Sequence, residues 1–210
     1  MEDIFWSVLL SWYKSNQRYY PWRDTDNVFH ILIAEMFLQQ TRADQALGVY
    51  RDVVNIYPTP EMMSKACEVE LLEMIKPIGL AYRAARLIQS SDLICKKYDS
   101  IVPKSRTELL ELPGIGDYIA DAVLCYGYGI RTIPIDTNVC RLFMRYFGLE
   151  AQSERVRLDM KLKASIREKY IFKCTREPNL AVLDYADAIC KARNPECSSC
   201  ELAHYCCSSM

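Results

Sequence analysis

Glycine is scarce here, seven in 210 residues. No Gly/Ser/Pro-rich linker, internal repeat or low-complexity tract divides the chain. That excludes a flexible multidomain array and points to compact, helix-dominated packing. No stretch alternates apolar and polar residues with period two, so a strand-built fold is excluded as well. Long hydrophobic runs are missing too. The apolar part of residues 1–20 is too short to span a bilayer and follows acidic residues, so neither a secretory signal nor a membrane span is expected. The expected setting is intracellular, with no membrane partner. Charge of one sign is also lacking: 26 Lys and Arg face 27 Asp and Glu, a formal net charge of -1. This counts against a uniformly basic nucleic-acid binder. It leaves open a protein that holds phosphates through backbone N–H groups at helix starts.

What is present is hydrophobic residue at helical spacing, half of the chain. The pattern predicts helices over 3–14, 28–40, 41–57, 60–66, 68–75, 81–97, 107–111 with Ser105 as cap, and 117–128. Others follow from Asp136 to Gly148, over 154–169 with Ser153 as N-cap, and over 178–190. The fold class is all-α. Ten cysteines are present. Without a secretory context their thiols stay reduced, and Cys67, Cys95, Cys125, Cys140 and Cys174 read as small apolar side chains.

Four segments carry chemistry. Cys190, Cys197, Cys200 and Cys206 form the spacing C-x6-C-x2-C-x5-C, a four-thiolate set able to hold one zinc or an iron–sulfur cluster. Cys207 is a neighbouring alternative to Cys206. Leu112-Pro113-Gly114-Ile115-Gly116 joins two helices, and its glycines let helix-start N–H groups face a phosphate, or simply form a turn. Asp136, after Ile133-Pro134-Ile135, reads first as an N-cap. Glu35 lies inside the apolar run 30–38; by itself such an acid is expected on a solvated face.

Taken in order, E-x3-QQT, LPGIGxY, IDTNVxR and the four cysteines resemble the endonuclease III/MutY branch of the helix-hairpin-helix DNA glycosylases, from Tyr20-Pro21-Trp22-Arg23 to Cys206. The resemblance implies a [4Fe–4S] cluster rather than zinc, and a two-lobed fold. One lobe would be 1–25 with 135–189, the other 26–134 with the hairpin at 107–128, and 190–206 the cluster loop. It implies a double-stranded DNA partner with a mismatched or damaged base, bound by a monomer. Asp136 matches the catalytic aspartate that stabilises positive charge on the deoxyribose, and Glu35 matches an acid that assists the leaving base or activates water. Gln40 matches the residue filling the space of a flipped nucleotide. The loop 78–82, with Leu80 and Tyr82, would press on the opposite strand, while Leu112, Gly114 and Gly116 would grip phosphate. Trp22 and Arg23 either line the base pocket or pack the seam. Lys104, Arg131 and Arg141 read as structural or phosphate-contacting.

Endonuclease III-like members carry a lysine at the position of Tyr118, whose amine forms a Schiff base and drives strand cleavage. Tyr118 implies a monofunctional enzyme that leaves an abasic site. Leu180 stands where adenine-excising members place Glu or Gln, and Ala43 where they often have Val. The loop from Ile78 also lacks their GLGYY pattern, and their 8-oxoguanine-sensing domain is not expected here. These features resemble the thymine/uracil mismatch (Mig-type) branch, so the expected reaction is hydrolysis of thymine or uracil opposite guanine. An adenine glycosylase and a non-catalytic DNA-binding iron–sulfur protein are the alternatives.

Overall fold

The computed structural model describes residues 1–170 and 173–208. It is all-α, with no strand among the described residues. Among the described residues no helix is long and apolar enough to cross a membrane. The chain divides into two compact units, 19–130 and 1–18 with 131–210.

The first unit is built on helix α2 (Val28–Leu38), whose residues are buried almost without a break from Phe29 to Phe37. Its start is set by Asn27, whose side chain accepts the N–H groups of Phe29 and His30 at 3.0 and 3.3 Å. Around it stand α3 (Ala43–Ile56), α4 (Pro60–Met63), α5 (Glu68–Ile75) and α6 (Tyr82–Lys97). Helix α4 opens with Pro60 behind a Thr59 cap, the first-turn position where proline loses no hydrogen bond. Leu32, Phe37, Val53, Leu71, Leu87 and Leu109 are fully buried and form one continuous core. Each contributes about 1.5–3 kcal/mol of transfer free energy.

The hairpin closes this unit. Helix α7 (Arg106–Glu111) and helix α8 (Asp117–Ala122) flank the Leu112–Gly116 turn. Gly114 has φ +87°, which favours glycine, and a Cβ there would sit 3.0 Å from Arg86 Cδ and 3.3 Å from Met36 Cε, so those two side chains would have to give as well. Arg106 clasps the two helices, donating Nε to Asp121 at 3.0 Å and Nη2 to Asp117 at 2.5 Å. Beyond Ala122 the helix widens into a π turn over Val123–Gly127. A Cβ on Gly127 would lie 2.8 Å from Val28 Cγ1, so this close approach to α2 also requires glycine.

The second unit joins the two ends of the chain. Helix α1 (Glu2–Asn16) packs with α9 (Thr137–Phe147), α10 (Met160–Tyr170) and α11 (Arg176–Ala188). Phe5 lies 5.2 Å from Phe143 and 4.8 Å from Tyr146, ring centre to ring centre. Trp6 packs on Tyr170 and donates its indole N–H to Lys169 O at 3.0 Å. Arg18 pairs with the buried Asp184 at 2.7 Å. Helix α9 ends on Gly148 in the left-handed conformation.

Two expectations are corrected. The helix expected over 154–169 begins only at Met160, and Ser153 is not its cap. Asp159 instead accepts the N–H groups of Lys161 and Leu162, both at 3.0 Å, and also holds those of Gln152 and Ser153. A carboxylate with two oxygens satisfies a helix start and the incoming loop together, which a serine hydroxyl cannot. The unit boundaries fall at 18/19 and 130/131 rather than 25/26 and 134/135. The reason is that Tyr20 and Trp22 pack into the 19–130 unit, Tyr20 through a 2.9 Å bond to Asp44 and Trp22 edge-on to Tyr50.

Candidate active site

Asp136 stands one residue ahead of α9 and caps it. Oδ1 accepts the N–H groups of Asn138 and Val139, each at 2.8 Å, and Oδ2 accepts Asn138 Nδ2 at 2.6 Å. Burial pushes this carboxyl above the usual carboxylate range, outweighing the hydrogen bonds from Val139 and Asn138 and the charge of Arg141. Among the described residues no cation touches it. Arg141 is spent elsewhere: it bonds Asn138 Oδ1 at 2.9 Å and the carbonyls of Cys190 and Ala186, both at 2.8 Å. Its role is structural. Asn138, inside the IDTNVxR motif, is a supporting residue that spacing alone did not reveal.

Glu35 is not on a solvated face. It is 5% exposed, in the most apolar helix of the protein. Its neighbours in sequence are buried on every side, so no rotation of α2 could have sent it to water. A carboxylate kept in such a place is a candidate for chemistry.

Tyr118, half-buried in the first turn of α8, packs against the core of its unit. Leu112 is buried and anchors the hairpin, while Gly116 is exposed at the start of α8. Gln39 donates its side-chain N–H to Gly114 O at 3.1 Å, tying the segment before Gln40 to the hairpin. Gln40 and Leu80 both have left-handed backbone, φ 56° and 58°. For residues with a Cβ this costs about 1 kcal/mol or more each, and it is tolerated where surroundings dictate it. Gln40 is exposed and Leu80 half-buried; Tyr82 is exposed, with Arg86 4.3 Å over its ring.

Of the proposed base-pocket residues, Trp22 is buried, with one face stacked on Tyr20 at 4.8 Å and Tyr50 against it, so it serves the core of its unit. Arg23 lies 5.5 Å over the Tyr20 ring. Ala43 opens α3 and is half-buried. Leu180, on α11, is 7% exposed.

The four cysteines come together. Cys190, Cys197, Cys200 and Cys206 all line one cavity of about 150 Å3. Arg145 joins their surroundings, its Nη1 3.5 Å from Cys190 Sγ and its carbonyl 3.3 Å from Cys206 Sγ. Four thiols lining one cavity are a donor set that suits either one tetrahedral zinc or an iron–sulfur cluster.

Residues 33–168 match the HhH-GPD superfamily base excision DNA repair protein family. The chain belongs to that superfamily. Residues 190–206 match the iron–sulfur binding domain of endonuclease III, and with the cavity above this assigns the four cysteines to a [4Fe–4S] cluster. The HhH-GPD chain is 35% identical to the thymine-DNA glycosylase of Aeropyrum pernix, over 94% of this chain and 91% of that protein. It is 31% identical to the thymine/uracil-DNA glycosylase of Pyrobaculum aerophilum, over 97% and 90%. The adenine DNA glycosylase of Mycobacterium tuberculosis is 32% identical, over 92% of this chain but 64% of that protein. Among solved structures, a thermostable thymine-DNA glycosylase superposes with a TM-score of 0.88 at 30% identity, covering 99% of this chain and 96% of that one.

Arg83 escaped the sequence reading. The available signal was its place on the buried stripe of α6, in step with Leu87, Ser90, Ser91 and Ile94.

Proposed function

We propose that this HhH-GPD protein is a monofunctional DNA glycosylase that removes thymine or uracil mispaired with guanine. The observation that carries the chemistry is Asp136: a carboxylate raised by burial, held by three neutral donors and touched by no cation among the described residues. With no counter-ion among the described residues, its charge is available to one that arrives with the substrate. Breaking the N-glycosidic bond leaves positive character on the deoxyribose C1′ and ring oxygen, which the ionised Asp136 stabilises. Water then adds to C1′, and the base departs with a proton, assisted by Glu35 as general acid or base.

Tyr118 offers no amine. The step from abasic site to cut strand through a Schiff base is therefore missing, and the product is an intact strand with an abasic sugar. The pyrimidine assignment rests on Leu180, which presents carbon where adenine-excising members place Glu or Gln, and on Ala43, where they often have Val. It also rests on the thymine- and uracil-acting relatives, which match this chain over 94% and 97% of its length. The hairpin would hold a phosphate with backbone N–H groups, and Gln40 and Leu80 would occupy the helix after the base turns out. Cys190, Cys197, Cys200 and Cys206 would hold the cluster, which would cross-link residues 190–206 to one another, while Arg145 near the end of α9 borders Cys190 and Cys206.

The test is a set of duplexes holding T·G, U·G, A·G or A·8-oxoguanine, each treated with alkali after incubation. Cleavage at T and U, dependent on the alkali, is expected. Cleavage confined to adenine would replace the substrate assignment, and cleavage without alkali would contradict the monofunctional one.

A further inference from the structure

Helix α6 buries one stripe, and its first member is an arginine. Arg83 is 1% exposed, among the largest wholly buried side chains of the protein. A guanidinium taken from water without an anion is costly unless oxygen acceptors surround it. Among the described residues no carboxylate pairs with it, and burial is what weakens its hold on its proton. Its acceptors come from two loops instead. Nη2 donates to Gln39 O, and Nη1 donates to Thr41 Oγ1 at 2.9 Å and Ile78 O at 3.3 Å. Thr41 Oγ1 in turn reaches Ile78 O at 3.3 Å, so the two loops are joined directly as well as through the arginine.

The choice of these acceptors is informative. Gln39 and Thr41 flank Gln40, and Ile78 lies two residues before Leu80. Gln40 and Leu80 are two of the five non-glycine residues with positive φ among the described residues. A strained conformation persists only where its surroundings over-determine it, and here the surroundings that both loops share are the Arg83 side chain and the direct Thr41–Ile78 bond. The link continues to the hairpin, because Gln39 also bonds Gly114 O, and Arg86, one turn after Tyr82, packs on Gly114.

We propose that Arg83 is a positioning residue that sets the spacing between the Gln40 and Leu80 loops and ties both to the hairpin, so that they enter the duplex together when the target base is turned out. The inference rests on the glycosylase reading above, in which these loops fill the space left by that base. Arg83 itself touches no reacting atom. Its loss lets each loop relax independently, and a misplacement of an ångström in such machinery costs about 100-fold in rate.

The experiment uses the full chain with its cluster: wild type, Arg83→Met, Arg83→Lys and Thr41→Val. Single-turnover excision is measured on a U·G duplex and on the same duplex with uracil opposite a reduced abasic site. In the latter no pair has to be broken and no opposite base has to be displaced. A 2-aminopurine beside the target reports base extrusion without needing excision. Arg83→Met should lose about 100-fold on U·G, much less opposite the abasic site, and most of the fluorescence change. Arg83→Lys should recover part of each. Thr41→Val, which removes one link only, should show a smaller defect of the same kind, and it decides the matter if Arg83→Met does not fold. Equal losses on both duplexes, or unchanged extrusion, would overturn the inference. If wild type acts on adenine instead, the glycosylase substrate is revised, and the same ratio is read on the corresponding adenine duplexes. A wild-type protein that extrudes no base would sink the inference outright.

Discussion

Asp136→Asn separates the helix cap that Asp136 forms from the catalytic charge proposed for it. Asparagine caps a helix about as well as aspartate, so Oδ1 can keep the N–H groups of Asn138 and Val139, at 2.8 Å each in the parent. The new amide faces Asn138 Nδ2, which now donates to Oδ2 at 2.6 Å. Turning Asn138 over would restore that bond at the expense of its 2.9 Å bond from Arg141. One hydrogen bond is therefore lost, about 1 kcal/mol, against which stands the relief of removing a partly desolvated negative charge. At neutral pH the variant should be within about 1 kcal/mol of wild type. Asp136→Ala, which also gives up the cap, should lose a further 0.5–2 kcal/mol or about that. Excision behaves differently. A unit charge about 4 Å from the developing cation, at an effective dielectric of about 20, is worth about 4 kcal/mol, or about 1,000-fold in rate. Both variants should lose activity on that scale while still binding the mismatch duplex.

The pH dependence follows from the raised carboxyl. A group whose folded pKa lies above its unfolded value adds stability below the unfolded value, near 4 for aspartate, and that contribution fades as pH rises through the folded value. Wild type should therefore lose stability relative to Asp136→Asn as pH rises across this window. Its excision rate should climb over the same window as the carboxylate forms. Denaturant titration and single-turnover excision, each against pH, check the two halves. An Asp136→Asn protein with wild-type turnover, or a wild-type rate that is flat through the acid range, would refute the assignment.

Leu180→Gln places an amide where the side chain is 7% exposed; thymine excision should fall about 10- to 100-fold through an unpaired buried amide, and the duplex panel should show any adenine activity gained. Cys197→Ser removes one of the four cavity-lining thiolates. Iron analysis and visible absorbance should then show loss of the cluster, and limited proteolysis should cut within 190–206. Gly127→Ala sets a Cβ 2.8 Å from Val28 Cγ1. Helix propensity favours the change by about 1 kcal/mol, but overpacking costs about 1–3 kcal/mol, so a melting temperature lower by a few degrees is expected from calorimetry, about 2–4 °C per kcal/mol.

The sequence by itself determined what is local or periodic. Helical spacing located α2, α3, α5 and α6 to within about two residues. The C-x6-C-x2-C-x5-C run and the Leu112–Gly116 turn are legible because ligand sets and glycine turns demand particular residues at particular separations. Asp136 was placed at a helix start by the proline and apolar residues before it. Tertiary structure decided what depends on burial and on partners far along the chain. Glu35 looks like a surface acid until α2 is seen enclosed on all sides. Trp22 could not be told from a pocket wall until Tyr20 and Tyr50 were found against it. Asp159 displaced Ser153 as a cap because a carboxylate can satisfy two segments at once. Arg83 is one more charged residue in a charged helix until Gln39, Thr41 and Ile78 converge on it. Period and spacing record what a residue's neighbours in sequence require of it; solvent exclusion and long-range hydrogen bonding are properties of the closed fold, and they decide which of these polar groups are buried and what holds them.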